Sequence, residues 1–388
     1  TIQVFAREVT SSRRPTDALP YLLYLQGGPG FESPRPAEAG GWLDKACESF
    51  RVLLLDQRGT GRSTPITSAS LQAMASPQAQ ADYLAMHRAD NIVRDAEVIR
   101  QCLGQPQWSI IGQSFGGFCS VSYLSMFNAS LKESFITGGL PPTDAGSTAT
   151  KVYEALHERV RKQNAKYYER FPQDKGRVAA VVAHLLKCEE EGKEVRTPAG
   201  NTLTVRSLQS LGIRFGSAQG FETIHFMFEN AFEAATGDLS YKFLKDFDAM
   251  VSIDTNVLYA LLHESIYVNG SGQSSGWAAD RVAAPRGNFD AAWALAQEEP
   301  IYFTGEMIFP FMFDDIAQLR PLKEAANLLA SKNDWPELYD DDALRENRAK
   351  VAAAVYFEDM YVDLNLSMET AGKIRGIRTF VTNEYLHS

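Results

Sequence analysis

Apolar and polar positions alternate in two different rhythms along this chain. Between residues 1 and 143, short apolar runs are each followed by a turn or a helical pattern. "IQVFARE" reads as a strand. "YLLYLQ" is a five-residue apolar run that ends in a glycine-rich loop. "FRVLLLDQRGTGRS" is a second buried-strand pattern closed by a turn. "RADNIVRDAEVIRQCLG" spaces its apolar residues for one helix face and stops at Gly104. "WSIIGQSFGGFCSVSYLSMF" predicts a strand, a tight turn and a helix; "ESFITGGLPP" predicts a strand broken by Gly and Pro. Continuous rather than alternating apolar runs, separated by helices, indicate a mainly parallel sheet covered on both faces.

From about residue 144 the rhythm changes. "ATKVYEALHERVRKQNAKYYERF", "KGRVAAVVAHLLKCEEEG" and "SAQGFETIHFMFENAFEAA" are amphipathic helical patterns with few strand signals, and this texture persists to about 345. Strand–helix–strand then returns in "RAKVAAAVYFEDMYVD", "LSMETAGKIRG" and "IRTFVTN". The expected organisation is an α/β core formed by 1–143 and 346–388, interrupted by a helical cap over 144–345.

Composition adds exclusions. With 45% hydrophobic and 22% charged residues the chain is ordinary globular protein. A net charge of -10 argues against non-specific nucleic-acid binding. The apolar runs are far shorter than the roughly 20 residues a bilayer requires, so no membrane association is expected. Cys47, Cys102, Cys119 and Cys188 are scattered without metal-type spacing, which predicts reduced thiols and a cytoplasmic protein. Nothing predicts a metal or an organic cofactor, and oligomeric state has no signal.

Three motifs carry chemistry. In "GQSFG", Ser114 has Gly112 and Gly116 two residues to either side, between an apolar strand and a helix. This is the setting of a nucleophile elbow: small neighbours permit the sharp turn, and the helix start favours developing negative charge. "LQGGPG" follows the preceding core strand, and its glycines let backbone N–H groups approach a ligand. Gly27 or Gly28, together with Phe115 after the serine, are the expected oxyanion donors. "DQRGTGRS" matches no phosphate loop, so Asp56 and Arg58 are expected to order the loop behind the site.

"LQGGPG", "DQRGTGRS" and "GQSFGG", in this order, together with "LLHESIYVNG" and "TNEYLHS", resemble the proline iminopeptidases of the α/β-hydrolase fold. The resemblance implies a serine exopeptidase that releases N-terminal proline from a peptide with a free N-terminus. The alternative on the same fold is a carboxylesterase or other small-ester hydrolase. In one departure, the oxyanion loop of that family usually begins with histidine, whereas Gln26 stands here, so support for the loop must differ.

In this fold the acid and the histidine follow the serine. Of His157, His184, His225, His263 and His387, only His387 follows a strand of the returning sheet. The acid should lie just past the preceding strand, where "FEDMYVD" offers Glu358, Asp359 and Asp363; the resemblance implies Asp359, with Glu358 as the fallback. His387 is accordingly expected within hydrogen-bonding reach of Ser114. In the family the chain normally continues past this histidine into a helix, whereas here only Ser388 follows, so the sequence is expected to be a trimmed copy of a longer protein. A cationic imino group also needs carboxylate partners. Glu264 resembles the family's amine-holding carboxylate; Glu306 and Glu222 are further candidates. Phe221, Phe226, Tyr267, Trp277, Phe309 and Phe311 are candidate stacking surfaces for a pyrrolidine ring.

Overall fold

A computed structural model describes residues 1–12, 18–38, 40–144, 148–283 and 287–387; the expected junction at 143/144 abuts residues outside this set. Seven strands form one sheet: β1 (Phe5–Val9), β2 (Tyr21–Leu25), β3 (Arg51–Asp56), β4 (Trp108–Gln113), β5 (Leu131–Thr137), β6 (Lys350–Tyr356) and β7 (Ile377–Thr382). Their spatial order is β1-β3-β2-β4-β5-β6-β7. β1 pairs antiparallel with β3, and every other pairing is parallel.

The unbroken apolar runs are explained by burial on both sides. Leu23, Leu25, Leu53 and Leu55 join the large core on one face, while Leu22, Tyr24, Val52 and Leu54 pack with Leu43 and Cys47 on the other. A period-2 strand with both faces covered has no polar position to offer. The helix Phe115–Phe127 is apolar on every side because it is enclosed by the sheet and its neighbours, and it runs directly from the end of β4. The strand at the opposite edge, β7, is mostly exposed, with Phe380 60% accessible.

Between β5 and β6 the described residues form helices, turns and three isolated bridges but no strand. The helix Ala149–Arg170 is the longest element of this insertion. Its Asn164 side chain clamps the backbone of Phe303 from both sides, donating to its carbonyl at 2.8 Å and accepting from its N–H at 2.8 Å. That clamp fixes the segment that carries Glu306. Among the described residues no helix is long and apolar enough to cross a membrane. The four cysteines are free thiols, with Cys47 and Cys119 buried.

Candidate active site

Ser114 sits between β4 and the helix Phe115–Phe127 with φ +52°, a backbone conformation that non-glycine residues seldom adopt. The flanking glycines make it possible. A Cβ on Gly116 would lie 1.9 Å from the Leu25 carbonyl oxygen, and one on Gly112 would lie 2.1 Å from the Gly116 carbonyl oxygen. No side chain fits at either place. Gly27 packs against the serine itself: a Cβ there would fall 3.1 Å from Ser114 Cβ and 3.7 Å from Oγ. The glycine loop and the helix start therefore bracket the hydroxyl.

Gln26 stands where a histidine is usual, and its support is distinct. The Tyr24 hydroxyl donates to Gln26 Oε1 at 2.6 Å, and Gln57 Nε2 donates to the Gln26 carbonyl at 3.0 Å. Behind the loop, Arg35 grips Asp56 with two hydrogen bonds, and Arg58 does the same to Asp95. Both motif residues are thus consumed in ordering loops.

Asp359 lies just after β6 and is 1% exposed. Its Oδ1 accepts from the N–H groups of Tyr361 (2.8 Å) and Val362 (3.0 Å), and its Oδ2 lies 2.7 Å from His387 Nδ1. The two neighbouring acids do other work. Glu358 pairs with Lys166 at the surface, while Asp363 caps the helix Leu364–Ala371 and pairs with Arg159.

His387 is 6% exposed, and its backbone N–H donates to the Gly216 carbonyl at 3.1 Å. Tyr361 stands edge-on to its ring, with centroids 4.7 Å apart. Burial opposes the charged imidazolium, but the charge and hydrogen bond of Asp359, helped by Glu306, outweigh it and raise the histidine pKa above its usual value.

Ser114 and His387 line one cavity of about 560 Å³ with Gln26, Gly27, Gly28, Phe31, Arg214, Tyr259, Glu306 and Tyr361. Among the described residues no hydrogen bond joins Ser114 Oγ to His387, so the contact expected from sequence is not closed in this structure. Such contacts often tighten only when substrate is bound. The other histidines that follow Ser114 are elsewhere. His225 bonds Asp174 and stacks on Phe171, His157 packs on Phe289, His184 lies near Cys188, and His263 is buried between Tyr259 and Tyr267.

The three candidate amine-binding carboxylates separate clearly. Glu306 alone lines the cavity, where its Oε1 accepts from the Tyr259 hydroxyl at 2.8 Å. Burial, with a further push from Asp359, raises its pKa to about 7 despite the opposing pull of His387 and Tyr259. Glu264 does not reach this cavity. It is buried at the start of the helix Ala278–Val282, accepting from the N–H groups of Ala278 (3.2 Å) and Ala279 (2.8 Å). Glu222 pairs with Arg170 on the outside of the insertion. The aromatic forecast also needs correcting. Phe31, Tyr259 and Tyr361 line the cavity, whereas Phe309 and Phe311 line a separate pocket, Phe226 is exposed, and Phe221, Tyr267 and Trp277 pack elsewhere. Nothing in the local sequence flags Tyr259 or Tyr361, because each reads as one more aromatic in an apolar segment. Among the described residues no cluster of three or more His, Cys, Asp or Glu is disposed to hold a metal.

Residues 20–187 match the family model described as the alpha/beta hydrolase fold. The chain is 48% identical over 390 residues to the proline iminopeptidase of Aeromonas sobria, covering all of this chain and 88% of that one. It is 38% identical over 400 residues to the proline iminopeptidase aneH of Aspergillus aculeatus, covering all of this chain and 85% of the relative. A solved proline iminopeptidase from Mycobacterium smegmatis overlays 99% of this chain and 88% of its own at 14% identity and TM-score 0.45. With such identity to the Aeromonas and Aspergillus proteins along its whole length, and with the fold and the motifs of its first 143 residues agreeing, the chain belongs to the proline iminopeptidase family.

Proposed function

We propose that this protein is a serine exopeptidase that removes N-terminal proline from peptides through a prolyl-enzyme intermediate. The observation that carries the reading is the pairing, in one cavity, of Ser114 on its strained turn with Glu306, a half-buried carboxylate that forms no ion pair among the described residues.

Ser114 attacks the scissile carbonyl. His387 takes its proton through Nε2 and delivers it to the leaving amine; Asp359, bonded to Nδ1, holds the tautomer and stabilises the imidazolium. Negative charge on the carbonyl oxygen is met by the backbone N–H of Phe115 and of Gly27 or Gly28, at the start of a 13-residue helix. Water then hydrolyses the acyl-enzyme. Glu306 receives the substrate's imino cation, and that charge compensates the cost of ionising a carboxylate in a largely desolvated cavity wall. Phe31, Tyr259 and Tyr361 supply aromatic walls for the pyrrolidine ring. The division into a core of 1–143 and 346–388 and a cap of 144–345 belongs to this reading, with the cap providing Glu306 and Tyr259. The four free thiols support a reducing, cytoplasmic setting.

The test compares proline naphthylamide with its N-acetyl derivative. Cleavage of the free compound at least 100-fold faster is expected, since acetylation removes the cation. Equal cleavage of both, or turnover of neutral esters alone, would make the protein an esterase instead.

A further inference from the structure

Arg214 belongs to the segment Ser210–Gly216, whose Gly216 carbonyl holds the backbone of His387. Arg214 lines the same cavity as Ser114 and Glu306. Nη2 donates to the Met250 carbonyl at 2.9 Å, which is the single side-chain hydrogen bond Arg214 makes among the described residues. Its Nε is buried with no partner, and no carboxylate of the described residues forms an ion pair with it. Met250, Val251, Ile253 and Ser217 line the same cavity.

A guanidinium offers five donors in a fixed fork suited to a carboxylate, and it keeps its charge at any working pH. An arginine whose only task was to cap the helix Tyr241–Met250 at its C-terminal carbonyl would not need to line the reaction cavity. The cavity therefore has two poles, an anionic one at Glu306 and a cationic one at Arg214. The leaving amine takes its proton from His387, so the leaving segment must pass that histidine, and the wall carrying Arg214 is bonded to the His387 backbone.

We infer that Arg214 binds the C-terminal carboxylate of the substrate, which makes short zwitterionic peptides, with proline first and a free carboxylate close behind, the favoured substrates. This inference rests on the exopeptidase reading and deepens it: Glu306 reads one end of the peptide and Arg214 the other.

The test is steady-state cleavage of prolyl-glycine and prolyl-glycinamide by the wild-type protein, Arg214→Lys and Arg214→Met, with proline naphthylamide as a control lacking any carboxylate. The wild type should prefer the acid over the amide by about 10- to 100-fold in kcat/KM, mostly through KM. Arg214→Met should bring that ratio close to one, and Arg214→Lys should keep part of it. The ratio within each variant is what is read, so a general loss from imperfect folding cancels. A wild-type ratio near one, with naphthylamide still cleaved, overturns the role of Arg214 alone. So does an unchanged ratio in Arg214→Met. Failure of the wild type to cleave any proline substrate overturns the exopeptidase reading beneath it.

Discussion

Replacing Glu306 by glutamine is expected to stabilise the protein at alkaline pH while removing its hold on a cationic substrate. In the folded protein burial raises the carboxyl pKa from 4.5 to about 7. Below pH 4.5 the group is protonated in both folded and unfolded chains and the shift costs nothing. As pH rises past 4.5 the unfolded chain ionises first, so the folded state loses stability, and the loss levels off above pH 7. Linkage gives a cost of roughly 1 kcal/mol at pH 5 and about 3 kcal/mol at pH 8.5. The larger figure is an upper bound, because the carboxylate meets cavity water. Glutamine has the shape of the protonated acid, can still accept from the Tyr259 hydroxyl, and never ionises. Thermal unfolding of wild type and Glu306→Gln should therefore differ little at pH 5 and diverge by about 3 °C in favour of the variant at pH 8.5, for a chain of this length. In the same variant kcat/KM for proline naphthylamide should fall by about 100-fold or more, as expected when the charged partner of a substrate cation is lost. A difference in melting temperature that stays constant between the two pH values would refute the argument that Glu306 is held against its own ionisation.

Other outcomes follow from the same geometry. Asp359→Asn should lower kcat by about 10⁴-fold, because the amide no longer fixes the His387 tautomer; a loss under tenfold would remove Asp359 from the mechanism. The acid limb of kcat/KM should have its midpoint above 6.5, since neutral His387 is the working base and its pKa is raised. Measured with a neutral ester, that midpoint should move down in Glu306→Gln, where one of the anions holding the imidazolium is gone. Glu264→Gln should preserve the preference for a free N-terminus yet lower stability by about 1–2 kcal/mol, because each of its two oxygens accepts a backbone N–H at a helix start and the amide leaves one of those buried donors unmet. Loss of that preference would return Glu264 to the amine site.

The parts of the fold that sequence made legible are those set by local pattern. "YLLYL" and "RVLLLD" read as strands because both faces are buried, and "GQSFG" read as an elbow because two glycines and their flanking strand and helix are adjacent in the chain. Chain order singles out His387, which the structure places against Asp359 and in the cavity that Ser114 lines. What escaped is what depends on the path of the insertion. Glu264 and Glu306 both sit among apolar residues, and only packing turns one to a helix start and the other to the cavity. The segment Ser210–Gly216, which carries Arg214, is tied to His387 through the Gly216 carbonyl and to Tyr361 through a hydrogen bond from the Tyr361 hydroxyl to the Ile213 carbonyl. Pairings this distant in sequence leave no periodic trace. The aromatic forecast failed for the same reason, since an aromatic in an apolar segment reads identically whether it faces core or cavity.

The mechanism requires a prolyl ester to form at Ser114. Wild-type protein mixed rapidly with proline naphthylamide, quenched in acid and digested should yield the peptide containing Ser114 carrying one prolyl group, and Ser114→Ala should yield none and release no proline. Continued proline release by Ser114→Ala, or an acyl group found on any other residue, would contradict it.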